Sequence, residues 1–133
     1  MKDIIEISTR AEMDLVNITN QVEKVVEKSK ISDGVALVFT KHTTSGIIVN
    51  ENESGLLDDI KTTLNKLIPK GAGYKHDLID TNAHSHLRSI FLNPSQLIPV
   101  ANGKLGLGTW QSIFFVELDG PRKRSVIVRV LGR

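Results

Sequence analysis

The sequence has 133 residues, with 17 lysines and arginines against 15 aspartates and glutamates, and a formal net charge of +2. This length predicts one domain with a real core and is too short for a TIM barrel, which needs about 200 residues or more. The absence of cysteine excludes a disulfide scaffold, a cysteine-ligated metal site and a thiol nucleophile. The small net charge does not by itself indicate a nucleic-acid partner.

The N-terminus, MKDIIEIS, carries acidic residues where a signal peptide has basic and then apolar residues. No apolar run approaches the ~20 residues that are needed to cross a bilayer. We therefore expect a cytoplasmic protein with no membrane partner, and the lack of cysteine fits a reducing compartment.

The first part of the chain predicts a strand over 3–8, a helix over 11–29 and a strand over 35–40. The last of these reads VALVFT, which is β-branched and aromatic, as buried strands are. The helix is predicted from apolar residues that recur at three- and four-residue spacing, namely Leu15, Ile18, Val22 and Val25.

The middle of the chain predicts a strand over 46–50 and then a second helix. Either Asn52 or Ser54 is expected to cap this helix, because both residue types favour that position. Pro69 is expected to end it. A short helix is predicted over about 82–92.

The last third predicts several closely spaced strands. QLIPVA and KLGLG flank Asn102-Gly103, which is a strong signal for a two-residue hairpin. Further strands are predicted over 109–118 and 125–131, with a turn at 119–121. Because these strands follow one another too closely for helical crossovers, we expect antiparallel pairing. The pattern predicts an α+β fold, a single compact domain over 1–133 whose mostly antiparallel sheet packs with two or three helices.

Four histidines are the first candidates for chemistry. His42 directly follows the strand predicted over 35–40, and His76 lies in a loop. His84 and His86 stand two apart, so on a helix only one of them can face a given site. Three histidines from separate segments can converge on one divalent metal, since neutral imidazole is a common zinc ligand. The alternative is that these are surface or capping histidines.

Polar side chains follow two of the predicted strands. If both strands end on one side of a sheet, hydroxyl, amide, carboxylate and imidazole groups come together there. The alternative is ordinary turn and capping chemistry, which favours the same residue types. The first group is Lys41, His42, Thr43, Thr44 and Ser45, and the second is Asn50, Glu51 and Asn52.

A basic cluster of Arg122, Lys123 and Arg124 stands at the turn before the last strand. Guanidinium groups suit phosphate or carboxylate, and the alternative is a solvated turn. Trp110, the single tryptophan, is expected to pack or to form a pocket wall. The few aromatic residues do not suggest a stacking platform for single-stranded nucleic acid, so we expect no nucleic-acid partner.

Five segments together resemble the YjbQ-type proteins, also called the secondary thiamine-phosphate synthase family. The resemblance covers nearly the whole chain, and it implies a compact α+β domain that assembles as a homotrimer. The segments are KHTTSGIIVNEN, the later His76, NAHSHLRS, NGKLGLGTWQ and the E-x-DGPRKR turn.

The resemblance also implies a pocket in which His42, His76 and His86 gather as ligands of a divalent metal. Zinc is the expected ion, and magnesium is the alternative with a pyrophosphate substrate. The remaining positions that match the family's motifs are Asn50, Glu51, Asn52, Trp110, Gln111, Glu117 and Arg124.

The activity implied by the resemblance is a weak thiamine-phosphate synthase activity. This reaction condenses a hydroxymethylpyrimidine pyrophosphate with a thiazole phosphate and expels pyrophosphate, so charge must be neutralised and two rings aligned. Catalytic roles are expected for Glu51, as a general acid/base or as support for the ligands, and for Asn50 and Arg124. Substrate contacts are expected from Lys41, Thr43, Thr44, Asn52, Trp110, Gln111 and Arg122.

An alternative function is a trimeric binding module that captures a small phosphorylated metabolite without turnover. It is suggested by the basic cluster at 122–124 in a chain without an unambiguous nucleophile.

Overall fold

The structure is a computed structural model that describes residues 2–133. In that range the chain forms eight strands, three α-helices and one 3₁₀ turn. No helix among these residues is long and apolar enough to span a membrane. In chain order the elements are β1 (Lys2–Ser8), β2 (Asp14–Asn17), α1 (Thr19–Ser29), β3 (Asp33–Phe39), β4 (Ser45–Glu51), α2 (Ser54–Leu67), the 3₁₀ turn (Lys75–Leu78), α3 (Ala83–Leu92), β5 (Ser95–Ala101), β6 (Lys104–Leu105), β7 (Gln111–Glu117) and β8 (Lys123–Gly132).

The strands form two sheets in which every pairing is antiparallel. One sheet has five strands in the order β1-β8-β3-β5-β6, and the other has three in the order β2-β7-β4. The α+β fold class with a mostly antiparallel sheet is therefore confirmed. The strands of the last third do not all belong to one sheet. β5, β6 and β8 lie in the five-stranded sheet, and β7 forms the centre of the smaller sheet.

The main apolar core lies between the two sheets and α1. Alternate residues of β8 point into it, as the two-residue period of a strand requires, and Val126, Val128 and Val130 are all fully buried. A second, smaller cluster packs Leu64 of α2 against Phe114 on the opposite face of β7. Strand β7 is therefore buried on both faces, which makes it the most enclosed strand of the fold.

The helix predicted over 11–29 is wrong in its first half. Residues Asp14–Asn17 form β2, which pairs with β7. Leu15 packs on the smaller cluster and Val16 on the main core, so successive side chains point to opposite faces, as they do in a strand. The Asn17 side-chain oxygen then accepts the Thr19 N–H at 3.0 Å, and α1 begins there.

The N-cap of α2 also differs from the prediction. Glu53, and not Asn52 or Ser54, holds this position, because its carboxylate accepts the N–H groups of Gly55 and Leu56 at 2.7 and 2.8 Å. A carboxylate satisfies the free donors of the first turn and complements the positive end of the helix.

The hairpin at Asn102-Gly103 is confirmed. Both residues have positive φ, at 53° and 75°, which is the backbone conformation that Asn-Gly sequences favour in two-residue hairpin turns.

A close backbone contact at Gly34 gives a first testable prediction. Gly34 of β3 pairs with Gly132 of β8, and a Cβ on Gly34 would lie 2.0 Å from the Leu131 carbonyl oxygen. We expect Gly34→Ala to lower the free energy of unfolding by about 1–3 kcal/mol, as overpacking does. Gly108→Ala is the control, because its Cβ would meet only the Gln111 side chain, at 3.4 Å. Equal urea midpoints for the two variants would contradict the close approach of β3 and β8 at this position.

Candidate functional site

A buried ion pair joins β7 to β8 beside the candidate site. Glu117 is fully buried and Arg124 is 4% exposed. Arg124 Nε donates to Glu117 Oε1 at 2.7 Å, and Nη2 contacts the other carboxylate oxygen, so the pair is bidentate. Arg124 Nη2 also donates to Thr44 Oγ1 at 2.9 Å, which fixes the segment that follows His42.

Glu117 is held as a carboxylate by its surroundings. Burial by itself raises the pKa of Glu117, but hydrogen bonds from Arg124, the Asp119 N–H and the Thr9 hydroxyl together leave this pKa below its ordinary value. Glu117 is therefore a fixed anion at neutral pH. It orients Arg124, and it is not a proton donor at this pH.

His42 lies in the short connection between β3 and β4, where hydrogen bonds fix its position. Its backbone N–H donates to Thr40 Oγ1 at 3.2 Å, and Ser45 Oγ donates to its carbonyl at 3.1 Å. The ring Nε2 accepts the Ser125 N–H at 3.1 Å. Burial and the nearby charge of Arg124 lower the pKa of His42. The ring is therefore neutral at pH 7 and carries its proton on Nδ1, because Nε2 is the acceptor.

His76 and His86 form a second group beside the first. Their rings meet edge to face, with centroids 4.9 Å apart and planes at 81°. His76 Nε2 lies 3.2 Å from Asn82 Oδ1, and Asn82 Nδ2 donates to Asp119 at 2.9 Å. Arg122 donates to the same Asp119 oxygen at 3.2 Å. The basic turn is thus connected to the histidine pair through Asp119 and Asn82.

His42 and His86 line one open cavity of about 480 Å³ between the end of β3 and α3. Lys41, Thr43 and Ser89 add polar groups to its wall, and the Ser89 hydroxyl is held by the Ser45 carbonyl at 2.6 Å. Apolar side chains form the rest of the lining, namely Phe39, Ile90 and Pro94.

His84 points to the opposite side of α3, as the two-residue spacing predicts. It is 2% exposed and its Nε2 lies 3.2 Å from Glu12 Oε1, in a separate cleft. His86 is therefore the histidine of this helix that belongs to the cavity.

The expectation that the polar residues at 41–45 and at 50–52 meet at one sheet edge is wrong within one chain. The turn between β3 and β4 reverses the chain, so the residues after β3 meet the start of β4. In the register of β4 and β7, Ser45 pairs with Glu117 and Glu51 pairs with Gln111. The Cα atoms of Gln111 and Glu117 are therefore roughly 20 Å apart, at about 3.3 Å per residue.

The other motif residues lie at the Gln111 end of β7, away from Glu117. They are Asn50, Glu51, Asn52, Trp110 and Gln111. Trp110 is 73% exposed at the turn before β7, and the Gln111 side chain accepts the Gly108 N–H at 2.8 Å. Asn50 and Glu51 end β4, and Asn52 precedes α2. In this chain the second group does not reach the histidines.

Asp119 and Asn82 are site residues that sequence reasoning missed. The sequence predicts only a turn at Asp119 and only the start of a helix at Asn82. The E-x-DGPRKR and NAHSHLRS segments contain them, but nothing in either segment indicates that the two side chains meet across 37 residues.

The three-histidine metal site does not fit the arrangement of the described chain. Among residues 2–133 no three His, Asp or Glu side chains are placed to hold an ion. His76 and His86 are adjacent, but His42 uses its Nε2 lone pair for the Ser125 N–H. His42 would have to give up that hydrogen bond before it could bind a metal through Nε2.

The chain matches known proteins over nearly its whole length. The family model described as UPF0047 protein YjbQ-like matches residues 3–133. A UPF0047 protein of Methanothermobacter thermautotrophicus is 50% identical over 129 residues, which cover 97% of this chain and 90% of that protein. The UPF0047 protein YugU of Bacillus subtilis is 34% identical and covers 99% of this chain and 100% of its own length.

Solved structures agree with these relatives. A YbjQ-like protein of unknown function from Sulfolobus solfataricus is 48% identical, with a TM-score of 0.98 over 100% of this chain and 97% of that one. A yjbq/upf0047 protein from Clostridium acetobutylicum is 43% identical, with a TM-score of 0.94 over 97% of this chain and 99% of that one. The chain therefore belongs to the YjbQ-like UPF0047 family.

Proposed function

We propose that this protein is a cytoplasmic transferase of the thiamine-phosphate synthase type, acting on a small phosphorylated metabolite. One observation carries the proposal: two histidines from separate segments, His42 and His86, line the same open cavity of about 480 Å³. Imidazole groups that share a cavity with a lysine and hydroxyls provide hydrogen-bond and proton donors for the pyrophosphate that leaves when the pyrimidine group is transferred to the thiazole phosphate.

The cavity provides one fixed donor and one exposed cation for such a substrate. The neutral His42 ring, held by the Ser125 N–H, offers its Nδ1–H as a donor. Lys41 is exposed on the cavity wall and pairs with no carboxylate in the part of the chain that the structure describes. Its ammonium group suits the phosphate. Arg124 is buried and paired with Glu117, so in this proposal it positions Thr44 and does not touch the substrate.

A divalent metal stays a prediction of the resemblance, and no step here depends on it. His76 and His86 are the neighbours that could provide two ligands, and a bound ion would neutralise charge on a departing pyrophosphate. Metal analysis of the purified protein, with His76→Ala as the comparison, tests whether the pair binds zinc or magnesium.

We also propose a homotrimer in which a neighbouring chain completes the cavity. Leu97 and Leu131 on the outer face of the five-stranded sheet are 64% and 53% exposed, and Ile90 and Phe91 on α3 are 71% and 75% exposed. Two different apolar surfaces on one chain suit a head-to-tail ring. In such a ring the group around Trp110 can approach the histidines of the next subunit.

The assembly gives a second testable prediction. We expect light scattering to give about three times the 14.7 kDa chain mass. Leu97→Asp is expected to reduce it to one chain mass, because an unpaired carboxylate is costly to bury. Lys104→Asp in β6 is the matched control, because Lys104 is exposed and lies outside both apolar surfaces. A monomeric wild-type protein would contradict the proposed trimer.

A binding module for a phosphorylated metabolite is the second candidate. It is favoured by Lys41, which is exposed on the cavity wall and suits a phosphate whether or not the ligand is turned over. Incubation with both substrates, followed by mass spectrometry, separates the two. The transferase forms thiamine phosphate and pyrophosphate. The binding module shows only a thermal shift with pyrophosphate, because a ligand that prefers the folded state raises apparent stability.

A further inference from the structure

A second polar cleft lies on the other side of α3 from the histidine cavity. It has a volume of about 220 Å³ and lies between the segment at 12–13, the C-terminal half of α2 and the first turns of α3. Its walls are formed by Glu12, Met13, Asn65, Lys70, His84 and Arg88. None of these residues belongs to the site proposed above.

Arg88 is a buried cation without a carboxylate partner in the described chain. The residue is 4% exposed and forms no ion pair among residues 2–133. Its Nε and Nη2 both donate to the Ile68 carbonyl, at 2.9 and 2.8 Å. Ile68 is the C-cap of α2, so this edge of the guanidinium satisfies a free helix carbonyl. The edge formed by Nη1 and Nη2 remains, and it is the kind of edge that holds an oxyanion bidentately.

His84 is the second buried polar group of the cleft. It is 2% exposed, and its Nδ1 is buried with no hydrogen-bond partner within residues 2–133. Unpartnered buried polar atoms are rare, because burial removes the water that would otherwise pair with them. The other ring nitrogen lies 3.2 Å from Glu12 Oε1.

Glu12 is the only carboxylate among the cleft-lining residues. It is about half exposed, and the same oxygen that contacts His84 also accepts from Lys70 at 3.2 Å. The cleft therefore contains the carboxylate of Glu12, the two cations Lys70 and Arg88, and the imidazole of His84. It has more positive than negative charge. Its volume suffices for a small ligand with a single anionic group.

We propose that this cleft binds the oxyanion group of a small metabolite, a carboxylate or a phosphate, between Arg88 and Lys70. The free guanidinium edge receives two oxygens, Lys70 covers the open side, and the anion supplies the negative charge that Arg88 lacks. The Asn65 amide at the rim is an additional donor. Glu12 opposes a ligand with several charges, because like charges in a cleft repel.

Substitutions of two exposed residues, which are expected to change the affinity for an anion in opposite directions, test the site. Acetate and inorganic phosphate are titrated separately into the full-length protein, with binding followed on the imidazole NMR signals of His84. Lys70→Met is expected to weaken binding about tenfold, as loss of a charge-assisted contact does. Glu12→Gln is expected to strengthen it, because it removes the competing carboxylate. Whichever anion binds more tightly identifies the class of ligand.

Two controls separate this site from general charge effects and from the histidine cavity. Lys66→Met removes an exposed lysine of α2 that does not line the cleft, and His86→Ala alters the other cavity. Both are expected to leave the His84 titration unchanged. The proposal is overturned if neither anion shifts the His84 signals saturably. It is also overturned if Lys70→Met binds as well as Lys66→Met, or if Glu12→Gln does not strengthen binding.

Discussion

Glu117→Gln is expected to lower the free energy of unfolding by about 3–5 kcal/mol, because it leaves a buried guanidinium without its counter-charge. Arg124 is 4% exposed, and its Nε and Nη2 both contact the Glu117 carboxylate. The amide that replaces this carboxylate has nearly the same shape, so the lost charge is the main change. Urea denaturation monitored by circular dichroism measures the difference.

A matched control and a double variant sharpen this result. Glu6→Gln removes an exposed carboxylate from β1, and such a change usually stays within about 0.5 kcal/mol. Replacing both partners with apolar residues, as Glu117→Leu with Arg124→Met, is expected to cost less than Glu117→Gln alone, because no unpaired charge remains buried. A Glu117→Gln variant as stable as the Glu6→Gln variant would contradict the buried ion pair.

The same pair predicts a pH dependence with a definite sign. The folded protein holds the pKa of Glu117 below its ordinary value. The pair therefore contributes full stability above the pKa of an unfolded glutamate, about 4.3. That contribution is lost as the pH falls from there through the lower folded pKa. In Glu117→Gln this part of the acid loss of stability should be absent.

His86→Ala is expected to lower kcat/KM for thiamine-phosphate formation by at least about 100-fold, the effect of losing one positioned acid–base group. His86 lines the cavity together with His42 and packs edge to face on His76. Removing its ring takes away one of the two imidazoles of the cavity and frees the neighbouring His76 ring to move. Formation of thiamine phosphate from the two substrates is the measurement.

Two comparisons make this loss specific to chemistry. Pro94→Ala trims an apolar wall of the same cavity and lies outside both apolar surfaces of the proposed trimer, and it is expected to change kcat/KM far less because it removes no titratable group. The urea midpoint of His86→Ala should stay near that of the wild type, since His86 is half-buried on the helix surface. Unchanged kcat/KM in His86→Ala would contradict the proposal that the histidine cavity is the active site.

Local patterns in the sequence predicted the parts of the fold that depend on neighbouring residues. The Asn102-Gly103 turn was predicted correctly because positive φ at both positions is a property of those two residues. The opposite directions of His84 and His86 followed from helix geometry alone. β2 was missed because its four residues are a strand only through their pairing with β7, about a hundred positions later.

The candidate site also has features that the sequence predicts and features that only the fold produces. His42, His76 and His86 stand out in the sequence by residue type, and the structure places them in neighbouring groups. The link through Asn82 and Asp119 could not be predicted, because it joins side chains that only the fold brings together. The hydrogen bond from the Ser125 N–H to His42 could not be predicted either, and it argues against a metal ligand at this position.

We propose that His42 and His86, which line the same cavity, form one site for a phosphorylated ligand. Titration of pyrophosphate into protein labelled at the histidine ring nitrogens tests it most directly. We expect the His42 and His86 ring signals to shift together, along one saturation curve, and we expect this curve to be lost in Lys41→Ala. Ring signals of both histidines that stay unchanged in excess pyrophosphate would contradict it.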